Sequence, residues 1–114
     1  MFKFEELHVY QRAIELSVQI FEITKKWPQR YQYNLADQFL RACLSISLNI
    51  AEGSSRSKKD FCHFLSIARG SAYESIPLIT IAYRLRLISK QEKEIVYNEI
   101  NSIAKMLSKL RTSL

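Results

Sequence analysis

The C-terminal stretch Ser89–Leu114, SKQEKEIVYNEINSIAKMLSKLRTSL, decides the fold. Val96, Ile100, Ile103, Leu107, Leu110 and Leu114 alternate steps of four and three without a fault. A seven-residue apolar repeat returns every such side chain to one narrow face of an α-helix, the pattern of a helix packed along other helices. Ser89 opens the segment with Glu92 three residues on, a capping box in which each residue satisfies a free amide near the other. This helix therefore has a defined start and a single buried seam.

Working upstream, Ser57 is placed to cap a third segment, with Asp60 putting a negative charge in its first turn. Phe61, Phe64, Leu65, Ala68, Ala72, Ile76, Ile79 and Tyr83 follow helical spacing across Pro77. The period resumes after that proline, so the spacing predicts one long kinked helix, with a true break as the alternative. Asn34 is a candidate N-cap for the second segment, whose stripe is Leu35, Phe39, Ala42, Ile46 and Ile50, and Gly53 a candidate stop. Gly53 to Ser57 then reads as a short loop between antiparallel neighbours. The first segment, Phe4 to Trp27, carries a stripe of Leu7, Tyr10, Ile14, Ser17, Phe21 and Thr24, widened by Ala13, Leu16 and Ile20. Lys25 and Lys26 suit its C-terminal dipole, and Pro28 forbids regular continuation.

The chain has 114 residues and only two Gly and two Pro. All-β folds need many tight turns, so this scarcity points to helices joined by few links. Four helices of about 20 residues each span roughly 30 Å and match one another in length. The expectation is an all-α, antiparallel up-down-up-down four-helix bundle, a single domain over residues 1–114.

The same reading finds no enzyme. His8 and His63 lack metal-ligand partners, and the paired Glu-x-x-His motif of di-iron bundles is missing. Gly53 and Gly70 are isolated, so no phosphate-cradling loop forms and no cofactor is called for. Cys43 and Cys62 sit inside amphipathic runs and read as small hydrophobes. No leader or membrane span is expected, which places the chain in the cytoplasm with no membrane partner.

Two polar features remain. Gln38, Arg41, Ser45, Asn49 and Glu52 step by three and four along the second helix, and Gly70, Ser71 and Glu74 offer small residues and an acid on the third. The default expectation is a set of hydrogen bonds across the bundle that fixes register, with a ligand site as the alternative. The second feature is charge, formally +6. From Ser54 to Lys90, seven cations face only Asp60 and Glu74, which accounts for five of the six net charges. A solvated helix face is the simplest account. A nucleic-acid contact through Arg56, Lys58, Lys59, Arg69, Arg84 and Arg86 is the functional one, with counterion release supplying affinity and no aromatic residues interleaved for base stacking.

Asn49-Ile50-Ala51-Glu52-Gly53, after Arg41-Ala42 and Ser45-Ile46, resembles the proteins encoded in intervening sequences of bacterial 23S ribosomal RNA genes. Leu7-His8-Val9-Tyr10-Gln11-Arg12-Ala13, Trp27-Pro28, Gln38 and the run FCHFLSIARGSAYE from Phe61 to Glu74 resemble further motifs of that family, over nearly the whole chain. Cys43 and Leu44 depart from its run of small residues, and Pro77 from its third helix. The resemblance implies a four-helix bundle. It also implies likeness to the accessory variability protein of diversity-generating retroelements, a ring-like homopentamer that binds nucleic acid and a reverse transcriptase. Carried here, it implies a homo-oligomer, a pentamer, whose partners are RNA or DNA or another protein. The competing expectation is an assembly scaffold with no direct nucleic-acid role, for which Val9, Val18, Ile23, Ile95 and Met106 are surplus apolar residues on the first and fourth helices.

Overall fold

In the computed structural model, which describes residues 1–114, the Ser89–Leu114 pattern becomes the helix it predicts. Four helices form the molecule: α1 (His8–Thr24), α2 (Asp37–Ser54), α3 (Lys58–Arg84) and α4 (Lys90–Ser113). Each packs against its two neighbours, α1 on α2 and α4, α3 on α2 and α4, closing a ring of four. The molecule measures 43 × 22 × 22 Å, and its long axis matches the roughly 40 Å rise of the 27-residue α3. Gly53 meets Phe64 and Cys43 meets Ser75 across α2 and α3, and Cys62 meets Arg111 across α3 and α4, so neighbours run antiparallel and the α1–α2 and α3–α4 links share one end.

The core obeys the heptad on α4, where Val96, Ile100, Ile103 and Leu107 are buried and the seam frays at Leu110 and Leu114. Phe39, Ala42, Cys43, Ile46 and Ile50 of α2 join them in the one core cluster. Each large aliphatic side chain removed from water in this way stabilises the fold by about 1.5–3 kcal/mol. On α3 the buried residues are Leu65, Ala68, Ser71, Ala72, Ser75, Leu78, Ile79 and Ala82. That helix runs unbroken through Pro77, which removes only the donor that the Tyr73 carbonyl would otherwise receive. Ser57 and Ser89 cap as their spacing predicts, accepting from the amides of Asp60 and Glu92 at 3.2 and 3.0 Å.

Several boundaries differ from expectation. Residues Lys3–Glu6 form a separate 3-10 turn, Leu7 is extended, and α1 starts only at His8. Phe4 meets Tyr10 edge-on at 5.0 Å, which folds the N-terminal turn back onto the helix. Asn34 does not cap α2, because the chain is already wound from Gln29 through a 3-10 turn and a wide π turn, Gln32–Ala36. Its side chain bonds instead to the Leu35 amide and the Arg30 carbonyl. Gln32 closes α1, donating to the carbonyls of Thr24 and Trp27 at 2.8 and 2.9 Å. Gly53 is no stop, since it lies within the last turn of α2 with a negative φ. A Cβ there would sit 2.5 Å from that of Phe64, so the missing side chain is what lets α2 and α3 approach.

The phase of α1 also differs. Val9, Ala13, Leu16 and Ile20 hold its core face, while Ile14 and Phe21, counted in the sequence stripe, are 39% and 57% exposed. Val9 is therefore core and not surplus, and Ile23 and Met106 are half-buried against it. Arg12 links α1 to α4 through a bidentate pair with Glu99, at 2.8 and 2.7 Å. That contact holds the guanidinium above its usual range, against the opposing effect of burial.

Candidate nucleic-acid interface

The polar ridge of α2 divides into two kinds of residue. Ser45, Asn49 and Ser71 form a cluster between α2 and α3. The Ser71 hydroxyl donates to Ser45 Oγ at 2.8 Å, and Asn49 Nδ2 donates to the Ser45 carbonyl and hydroxyl at 2.7 and 2.9 Å. Gln38, Arg41, Glu52 and Glu74 are exposed, Arg41 pairing with Asp37 and Glu52 with Arg56 along their own helix. Only the serines bridge the helices, so the register-fixing set is smaller than the sequence suggests. Gly70 faces open space, and its neighbour Ser71 makes the contact instead. Deeper on the same seam, Cys43 Sγ lies 3.9 Å from Ser75 Oγ. Burial pushes the Cys43 thiol up to about 12, partly offset by that contact.

All six candidate cations are exposed. Lys58 and Lys59 stand in the first turn of α3, Arg69 in its middle and Arg84 at its last residue, with Arg56 and Arg86 just beyond the two ends. Lys58 and Arg84 are therefore about 39 Å apart along the axis. They make a line and not a patch. At about 100° per residue, Lys58, Lys59, Arg69 and Arg84 fall within one arc of about 100° on α3, and Asp60 and Glu74 lie outside it. None of those four cations belongs to an ion pair of the chain. Arg56 is less free, held by Glu52 at 3.2 Å and stacked 5.2 Å over Phe64. Aromatic residues do accompany the cations, contrary to expectation: Arg69 lies 4.8 Å over the ring of Tyr73, which is 57% exposed. The signal was in the sequence, since Arg69 and Tyr73 stand four apart on one helix face.

Arg86 has a conformation no spacing rule would show. Its φ is +61°, and it ends α3 in a Schellman motif. Its amide donates to the Tyr83 carbonyl and that of Leu87 to Ala82, both at 2.9 Å. Glycine is the usual residue there, because a side chain in the left-handed region costs about 1–2 kcal/mol. The turn aims Arg86 at the α1–α2 link, where it shares a recess with Lys26 and Arg30. Sequence spacing marks Lys26 only as a dipole partner and leaves Arg30 unmarked, since 60 and 56 positions separate them from Arg86.

His8 and His63 are exposed, and nowhere do three His, Cys, Asp or Glu side chains gather as a metal ion would need. No helix is long and apolar enough to cross a membrane.

Comparison with known proteins gives the fold a lineage. No curated protein matches the chain. A solved structure from Bacteroides thetaiotaomicron, described as a protein of unknown function from the S23 ribosomal protein family, superposes with a TM-score of 0.84 at 26% identity. The match covers 91% of this chain and 95% of that one. The profile of the 23S rRNA-intervening sequence proteins matches residues 5–109, from the N-terminal turn to the last turns of α4. On that coverage, the chain belongs to the 23S rRNA-intervening sequence protein family.

Proposed function

We propose that this protein is a non-catalytic, cytoplasmic, homo-oligomeric bundle that binds nucleic acid, RNA in preference to DNA, through the outer face of α3. The observation that carries this reading is the acid-free arc of Lys58, Lys59, Arg69 and Arg84, in which no cation is neutralised by a carboxylate. A row of unpaired cations about 39 Å long suits a phosphate backbone, which presents charge at regular intervals and is recognised without reading bases. Tyr73 beside Arg69 adds one ring on which an unpaired base can stack. The preference for RNA rests on the family resemblance.

Anisotropy of a labelled structured RNA and of a DNA duplex, titrated from low to physiological salt, tests it. Four phosphate contacts predict a slope of log K against log salt of about −3 to −4. Absence of binding at low salt refutes the reading and leaves the scaffold alternative, a protein partner without direct nucleic-acid contact.

Oligomerisation has its own support. Ile14, Val18 and Phe21 of α1 and Leu44 and Leu48 of α2 are exposed large apolar residues, with Leu48 at 64%. Phe21, Leu44 and Leu48 line one groove between the two helices. Exposed apolar residues grouped in this way are what a subunit interface covers. This face lies on α1 and α2; of the surplus residues read from the sequence, Val18 belongs to it, while Ile95 is exposed on α4. Five copies is the count that the resemblance implies. Native mass spectrometry of the wild type and of Leu48→Glu reads it directly, and an unchanged mass in the variant refutes this face as the interface.

A further inference from the structure

At the end of the bundle where the two links meet, a recess of about 420 Å³ lies between the α1–α2 link and the α3–α4 turn. Lys26, Arg30 and Arg86 line it, with Trp27, Tyr31 and Glu92. None of the three cations belongs to an ion pair. The carboxylate of Glu92 is already engaged, accepting the Ser89 amide at 2.8 Å. Arg30 is steadied over the Tyr31 ring at 5.0 Å.

The recess gathers unpaired positive charge from two separate links. The left-handed turn that closes α3 brings Arg86 to it, alongside Lys26 and Arg30 of the α1–α2 link. Trp27 is 5% exposed and forms an apolar wall beside them.

We propose that the recess binds a terminal phosphomonoester, the phosphorylated end of an RNA strand whose backbone follows α3. Three cations against one carboxylate leave two positive charges, which match a phosphomonoester better than the single charge of a backbone diester. The recess also lies next to Arg84, at one end of the α3 line, and so takes a strand's end and not its middle. This inference rests on the α3 reading.

The test compares 3′-labelled RNA strands carrying a 5′-phosphate or a 5′-hydroxyl, with a 5′-labelled, 3′-phosphorylated strand as a third arm. The variants are Arg86→Gly, which glycine's tolerance of that φ keeps folded, and Lys26→Ala. The wild type should prefer a phosphorylated end by about tenfold, the effect of one charge-assisted contact. In Arg86→Gly the ratio should fall to about one, with the hydroxyl strand changed by less than about twofold. The 3′ arm shows which end is read. Equal affinity for all three strands in the wild type overturns the recess and spares α3. If no strand binds, the α3 reading fails, and inorganic phosphate decides the recess alone. Trp27, the sole tryptophan, is the reporter. A saturable fluorescence change lost in Arg86→Gly upholds the site, and no change overturns it.

Discussion

Replacing Gly53 by alanine tests how closely α2 and α3 approach. The added Cβ falls 2.5 Å from Phe64 Cβ and 3.0 Å from Phe61 Cδ1. Phe64 Cβ is tied directly to the α3 backbone, so relief requires the helices to part and cannot come from a rotamer change. Overpacking of this kind costs about 1–3 kcal/mol. Alanine returns about 0.5–1 kcal/mol, because glycine inside a helix gives up more backbone freedom. At 2.5 Å the clash belongs in the upper half of that range, so the net loss is about 1–2.5 kcal/mol. A chain of this length unfolds with an entropy near 240 cal/mol/K, so Tm should fall by about 4–10 °C. Gly70→Ala is the built-in control. Its Cβ meets nothing within 4 Å, so only the backbone gain applies and Tm should rise by about 2–4 °C. Thermal unfolding by circular dichroism reads both variants. A Gly53→Ala protein as stable as the wild type would refute the close approach, whatever Gly70→Ala does.

Further expectations address other elements. A thiol-specific disulfide reagent at pH 8 should modify Cys62 quickly and Cys43 only after denaturant is added, because the thiolate is the nucleophile and Cys43 is protonated far above that pH. The same shift predicts that stability is intact below the ordinary thiol value of 9.0 and declines as pH rises from there towards about 12, with Cys43→Ala showing a shallower decline. Charge reversal at Lys58 and Lys59 should weaken RNA binding at least tenfold at low salt without moving Tm by more than about 2 °C; unchanged affinity in the folded double variant removes that end of α3 from the interface. Asn49→Leu deletes both bonds to Ser45 and should lower stability by about 1–2 kcal/mol in urea titration, and an unaltered midpoint would count against the α2–α3 polar cluster.

The features legible in the sequence were the local ones. The α4 heptad and the Ser57 and Ser89 caps depend on residues within one or two turns of each other, and the structure keeps them. Asn34 misled because a cap needs free amides, and the turns that begin at Gln29 had already used them. The phase of α1 misled for another reason. Ile14 and Phe21 are as apolar as core residues, and apolarity alone does not separate a core face from an apolar face left at the surface. Gly53 read as a stop, since its purpose lies in the side chain of Phe64 on the next helix. The α3 line of cations was visible as composition, but the recess was not. Lys26, Arg30 and Arg86 meet only because an up-down order brings the first and third links to one end, and nothing in Leu85-Arg86-Leu87 signals a left-handed turn.

The α2–α3 seam, where Cys43, Ser45 and Gly53 meet Ser75, Ser71 and Phe64, has a consequence for how this chain can diverge. Its small residues are limited by volume from above: almost any enlargement forces the helices apart, while exchanges among Gly, Ala, Ser and Cys leave the spacing intact. The α4 seam of Val96, Ile100, Ile103 and Leu107 is limited from below, where truncation opens a void and a change of branching is absorbed. Neutral drift should therefore be directional, drawing on small residues along one seam and on large aliphatics along the other. A saturation library selected only for folding would show the two halves of one core obeying opposite size rules.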